Sequence, residues 1–202
     1  RRWLFVHNPR IACALIPNFS VVRLVRDDVS LLSRPLAVTV NDRDNALIVA
    51  VSARASAFGV KPGMTAAQVE SRCPDLKRMV RDVAAERAAA GVLVTALQQI
   101  GPHVAYTEDE PGLFFLEASG LTRLHHGESG LARQMLTTIA GQNYPVRVGV
   151  GANRFVARVA AEQARNHDYV IVPETGEREF LSTCRIDCLR PVGKTADLFA
   201  TL

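Results

Sequence analysis

Val148-Gly149-Val150-Gly151-Ala152-Asn153-Arg154-Phe155-Val156-Ala157-Arg158-Val159-Ala160-Ala161 runs from a strand into a helix. Residues 144–150 carry the strand pattern and residues 153–166 an amphipathic helix, so the two glycines mark the turn between them. Gly149-x-Gly151 ahead of a helix invites comparison with a phosphate loop. It lacks the third Gly of the dinucleotide motif and the Gly-Lys-Ser/Thr of the triphosphate loop. The stretch therefore reads as a tight strand-to-helix turn with Asn153 near the cap.

Working outward, residues 169–172 form a short strand, residues 174–181 a short helix, and Pro191-Val192-Gly193-Lys194 leads into a final helical stub. Upstream lie a helix over 129–140 and two strands, 104–107 and 112–118, around the acidic turn Glu108-Asp109-Glu110-Pro111. Residues 82–100 are an Ala-rich helix stopped by Gly101-Pro102. Before it come the breaker-rich residues 58–64 and a short helix capped by Thr65 that ends at Cys73-Pro74. Residues 35–40 and 46–52 suggest a hairpin, residues 18–32 have helical spacing, and residues 11–16 are a buried strand bounded by Pro17. Mixed strands and helices with antiparallel pairs place the chain in the α+β class.

The 202 residues carry 24 Lys+Arg against 20 Asp+Glu, a net charge of +4, and 48% are hydrophobic. That apolar fraction excludes disorder and supplies a core for one large domain or two small ones. No apolar run approaches the roughly 20 residues of a membrane span, and no secretory signal opens the chain. Cys13, Cys73, Cys184 and Cys188 are too scattered for a disulfide scaffold, and they read as reduced thiols of a cytoplasmic protein. A start at Arg1 instead of Met suggests a trimmed or tagged fragment. The charge permits nucleic-acid contact without demanding it, because the basic residues form no dense block.

The order strand, small helical and hairpin insert, long helix, two strands, helix, strand, helix, strand resembles the palm and fingers of Y-family (DinB/UmuC-type) translesion DNA polymerases. Phe19 matches the Phe of that family's first-strand motif, hydrophobic-Asp-x-Asp-x-Phe. Ala55-Ser56-Ala57-Phe58-Gly59-Val60-Lys61-Pro62-Gly63-Met64 is similar to its Ala-Arg-x-Phe-Gly-Val-x-x-x-Met, and Phe114-Phe115-Leu116-Glu117 to the Ala-Tyr-Leu-Asp end of its second catalytic strand. The stretch quoted first resembles Gly-Ile-Ala-x-Asn-Lys-x-Leu-Ala-Lys-x-Ala-Ser. Residues 189–202 resemble the helix-hairpin-helix that opens the thumb. The resemblance implies a palm built from 10–17 and 81–172, a fingers insert over 18–80, the start of a thumb over 173–202, and a parent chain that continues beyond Leu202.

Phosphoryl transfer in this family uses two metal ions held by three carboxylates. Aligned on Phe19, the first-strand Asp falls on Leu15 and the next motif Asp on Pro17. Aligned on Phe115-Leu116, the Asp-Glu pair falls on Gly112 and Leu113. The triphosphate-binding Tyr and Arg fall on Ala53 and Ser56, a phosphate-touching Thr on Ala50, and the ribose-excluding aromatic on Ser20. Arg165 alone keeps a cation, where the family has a Lys. The resemblance is thus to the catalytically inactive ImuB-type members. It implies a scaffold in damage-induced translesion synthesis, not an enzyme, with no catalytic, metal or cofactor site. Its partners would be DNA, a sliding clamp, a DnaE-type error-prone polymerase and a RecA-like accessory protein. The alternatives are a degenerate but active polymerase using Glu108, Asp109, Glu110 or Glu117, and an unrelated α+β interaction domain.

Weak DNA contact is expected at Gly193 and Lys194, which resemble the hairpin Gly-Val-Gly-Lys-Lys-Thr whose backbone N–H groups hold a phosphate. Pro191 replaces the first Gly and removes one donor. Thr195-Ala196-Asp197-Leu198-Phe199 is close to a clamp-binding peptide but reads as part of the hairpin helix. His125-His126 has no third ligand at suitable spacing and reads as a surface pair.

Overall fold

The computed structural model describes residues 10–189, apart from the side chain of residue 187. In chain order it contains β1 (Ile11–Leu15), α1 (Phe19–Asp27), a 3-10 turn (Val29–Ser33), β2 (Leu36–Thr39), β3 (Ile48–Val51), α2 (Ala53–Ala57), α3 (Ala66–Arg72) and β4 (Lys77–Val80). Then follow α4 (Val83–Gln98), β5 (Val104–Tyr106), β6 (Leu113–Glu117), α5 (Glu128–Ala140), β7 (Arg147–Gly151), α6 (Arg154–Gln163), β8 (Tyr169–Ile171), α7 (Glu177–Ser182) and a second 3-10 turn (Ile186–Leu189). Side chains fix the helix starts. Asp82 accepts from Ala85 N at 3.0 Å to open α4, and Asn153 accepts from Val156 N at 3.0 Å to open α6. Thr65 and Gln68 exchange the two bonds of a capping box at α3.

Five strands form the larger sheet in the order β5-β6-β1-β7-β8. The central β1 runs antiparallel to both neighbours, with Leu15 opposite Leu113 on one side and Arg147 on the other. Strand alternation then sorts the side chains. Ala12, Ala14, Phe114, Leu116, Val148 and Val150 join Leu93, Leu97, Leu131 and Met135 of α4 and α5 in the main core. Cys13, Leu113, Leu15 and Phe115 cluster with Ala157 and Ala161 of α6. Close packing of α6 explains the two glycines. A Cβ on Gly149 would meet the backbone of Ala157 and Ala161, and one on Gly151 would stand 2.6 Å from Val156 Cγ1.

A smaller sheet, β3-β2-β4, is inserted between α1 and α4. The expected hairpin is β2 and β3, antiparallel, with an irregularity between Val38 and Thr39. Strand β4 and helix α2 are additions to the sequence reading. Lys77-Arg78-Met79-Val80 is a short polar edge that pairs parallel to β2, and that long-range partner leaves no periodic signal. The helical spacing over 18–32 is broken at Asp28, whose carboxylate accepts from Ser30 N and starts the 3-10 turn.

Candidate functional site

A cleft of about 640 Å³ lies between α1, the start of α2 and the loops around β7. Its floor is apolar, with Val21, Val22, Val25 and Leu31. Its rim carries Arg26, Arg34, Arg54 and Arg147, contributed by separate parts of the chain. Arg147 donates to Asn166 Oδ1 at 2.8 Å, Arg54 to Ser33 O at 2.7 Å, and Arg34 to Asp75 O at 3.2 Å. Arg26 lies 4.1 Å above the Tyr144 ring, which is itself stacked on Phe19. None of these four partners is a carboxylate, so the rim keeps its positive charge. Matching residues to family positions missed them. Among the positions it did examine, Ala53 lines the cleft, Ser20 and Ala50 are buried, and Arg165 is exposed outside the lining set.

The tip of the large sheet is built differently. Leu113 is 3% exposed and packs in the cluster that also holds Leu15. Gly112 has a φ of 90°, its carbonyl accepts from Ile16 N at 2.8 Å, and a Cβ there would stand 2.5 Å from Ile16 O. Beside the tip, Arg81 donates to Glu86 at 2.7 Å and to Glu108 O at 2.8 Å, while Arg87 grips the Glu108 carboxylate at 2.6 and 3.0 Å. That guanidinium bond holds the Glu108 carboxyl below the usual carboxylate range. Glu117 sits at the opposite end of β6, opposite Ile11. Among the described residues no three His, Cys, Asp or Glu converge to hold a metal ion. His125 contacts Ile100 O at 3.2 Å. Gly193, Lys194 and the 195–199 segment lie outside the described residues.

A model of the IMS (impB/mucB/samB) family matches residues 16–162. The chain belongs to this family. The impB/mucB/samB chain is 29% identical over 182 residues to DNA polymerase IV of Pseudomonas fluorescens (strain Pf0-1), a match covering 88% of the chain and 50% of that protein. It is 25% identical over 171 residues to DNA polymerase IV 2 of Mesorhizobium japonicum, with 82% and 39% covered. Its fold is similar to that of DinB from Sulfolobus solfataricus, with a TM-score of 0.77 at 17% identity over 92% of the chain and 55% of that structure. A post-insertion binary complex of Dbh DNA polymerase gives 0.75 at 17% identity, with 89% and 52% covered. The α+β fold is that of the Y-family palm. The chain spans about half the length of the curated relatives it matches. Among the described residues no helix is long and apolar enough to cross a membrane.

These relatives correct one expectation. Leu15, Gly112 and Leu113 led the sequence reading to a protein that is not an enzyme, whereas the impB/mucB/samB relatives are named DNA polymerases and point to an enzyme. The structure shows why the three positions are a poor guide. Leu15 and Leu113 belong to the packing under α6, and Gly112 to a turn that excludes a side chain. Their identities report local packing, which is not the same thing as chemistry.

Proposed function

We propose that this chain is the palm-and-fingers part of a translesion DNA-synthesis protein that works on DNA. The five-stranded sheet (10–17 and 81–172) is the palm, residues 18–80 are the fingers, and residues from 173 onward begin the thumb. The reading is supported chiefly by one observation: β1 sits between β6 and β7, with a second sheet inserted between α1 and α4, in a chain whose relatives are named DNA polymerase IV. The reaction class is nucleotidyl transfer to a primer, as the names of those relatives indicate. Gly193 and Lys194 would hold a DNA phosphate through the start of the thumb.

A second reading, that of the ImuB-type members, draws on the open cleft beside α1, whose aliphatic floor and four-arginine rim offer a surface for another protein. In it the same DNA-holding fold acts as an adaptor in damage-induced mutagenesis. It would join a sliding clamp, a DnaE-type error-prone polymerase and a RecA-like accessory protein.

Primer–template binding, followed by fluorescence anisotropy across a salt series, tests the DNA claim. Affinity should fall steeply with salt and fall further in Lys194→Glu. Salt-independent binding, or none, would overturn it. Primer extension by the intact protein, alone and with the DnaE-type polymerase, then separates the readings. Extension by the protein alone supports nucleotidyl transfer, and extension that appears only with the partner supports the adaptor.

A further inference from the structure

We propose that the cleft beside α1 is a docking groove for an acidic amphipathic helix of a partner protein. The inference deepens the adaptor reading, and rests on it, by naming the surface where such a partner would sit. Two features of the cleft point the same way. Its floor is a set of aliphatic side chains, Val21, Val22, Val25 and Leu31, and Leu32 at its lip is 55% exposed. Together they offer an apolar strip on which another surface could pack.

The rim supplies the second feature. Arg10, Arg23, Arg78, Arg81, Arg87 and Arg158 are each ion-paired with an acid. The four rim arginines instead bond carbonyls or an amide, or cover an aromatic ring. Their positive charge is therefore uncompensated, and its complement is an occupant that carries acids around an apolar stripe. A helix with Leu at i, i+3/i+4 and i+7 and Glu on both flanks has that pattern. Its apolar face would cover Leu32 and the valines while its glutamates met guanidinium forks from both walls. A nucleotide could neutralise the arginines, but its phosphates would gain nothing from the aliphatic floor.

The probe is a fluorescein-labelled synthetic peptide about four helical turns long, with Leu in that spacing and Glu flanks. A control peptide carries Lys in place of Glu. The acidic peptide should bind the chain and the Lys peptide should not. Affinity should drop about tenfold or more in the double variant Arg54→Ala/Arg147→Ala, and again in Leu32→Asp, with circular dichroism confirming that each variant is folded. A deoxynucleoside triphosphate with magnesium should leave the peptide bound. Equal binding of both peptides, indifference to the arginine variant, or no binding at all would overturn the proposal. Displacement by nucleotide at micromolar concentration would do so as well, and would assign the cleft to nucleotide. Primer extension by the intact protein alone would count against the adaptor reading while leaving peptide binding as measured, so the two failures are distinguishable.

Discussion

Gly149 on β7 and Ala157 on α6 meet backbone to backbone, with no room for a Cβ between them. The helix consequently lies directly on the strand, and Ala157 and Ala161 reach the cluster formed by Cys13 and Leu113. Replacing Gly149 by Ala forces strand and helix apart. Because the obstructing atoms are backbone atoms of Ala157 and Ala161, no rotamer change relieves the overlap. The expected cost is about 3 kcal/mol, the upper end for overpacking, read as a lower urea midpoint at unchanged slope. Wild-type stability in Gly149→Ala would show that α6 does not pack as described.

This turn is also where the sequence was most legible. A strand, two glycines, a capping Asn and a helix are all local signals, and residues 148–161 carry all of them. Strand β4 carried none, because Lys77–Val80 becomes a strand only through β2, far away in the sequence. The cleft was hidden for the same reason. Arg26, Arg34, Arg54 and Arg147 converge only after the two sheets have formed, and none stands at a position where the family's motifs direct attention. At the tip, by contrast, the residue types were read correctly and the conclusion drawn from them was not. Leucine at 15 and 113 is explained by packing alone.

The Arg81–Glu86 pair joins the end of β4 to the first turn of α4. Glu86 is 2% exposed and its carboxylate lies 2.7 Å from Arg81. Arg81 also donates its backbone N–H to Thr39 O, so one residue ties β2, α4 and the β5–β6 turn together. Glu86→Ala leaves a guanidinium without its acid in a poorly solvated place. A loss of about 3 kcal/mol is expected in chemical denaturation, and Glu86→Gln should recover part of it by keeping an acceptor. A loss below about 0.5 kcal/mol would mean that water already serves Arg81 there.

Tyr106 offers a change of opposite sign. Its ring stacks on Phe114 at 5.2 Å, while its hydroxyl is buried with no hydrogen-bond partner. Burial, and after it the nearby Glu86 charge, push the phenol pKa up, so the group stays protonated and gains nothing from ionisation. Tyr106→Phe keeps the stack and removes the unsatisfied hydroxyl. Thermal melting should show the variant as stable as the parent or up to about 1 kcal/mol more stable. Destabilisation would indicate that the hydroxyl has a water partner.

Glu108 gives the chain a predictable acid response. Its pKa is lowered first by the hydrogen bond from Arg87, opposed next by burial, and lowered further by the charges of Arg87 and Arg81. The folded chain therefore releases this proton more readily than the unfolded chain does. As pH falls through the ordinary glutamate range, the unfolded state takes up the proton first, and stability declines until pH passes below the folded value. The contribution is complete above that window and absent below it. Because the pair is exposed, it should also weaken as salt is added. Carboxyl chemical shifts of Glu108 followed by NMR should titrate below the ordinary value in the parent chain and move upward in Arg87→Ala. An unmoved titration in that variant would assign the shift to Arg81 instead, whose side chain holds the Glu108 carbonyl.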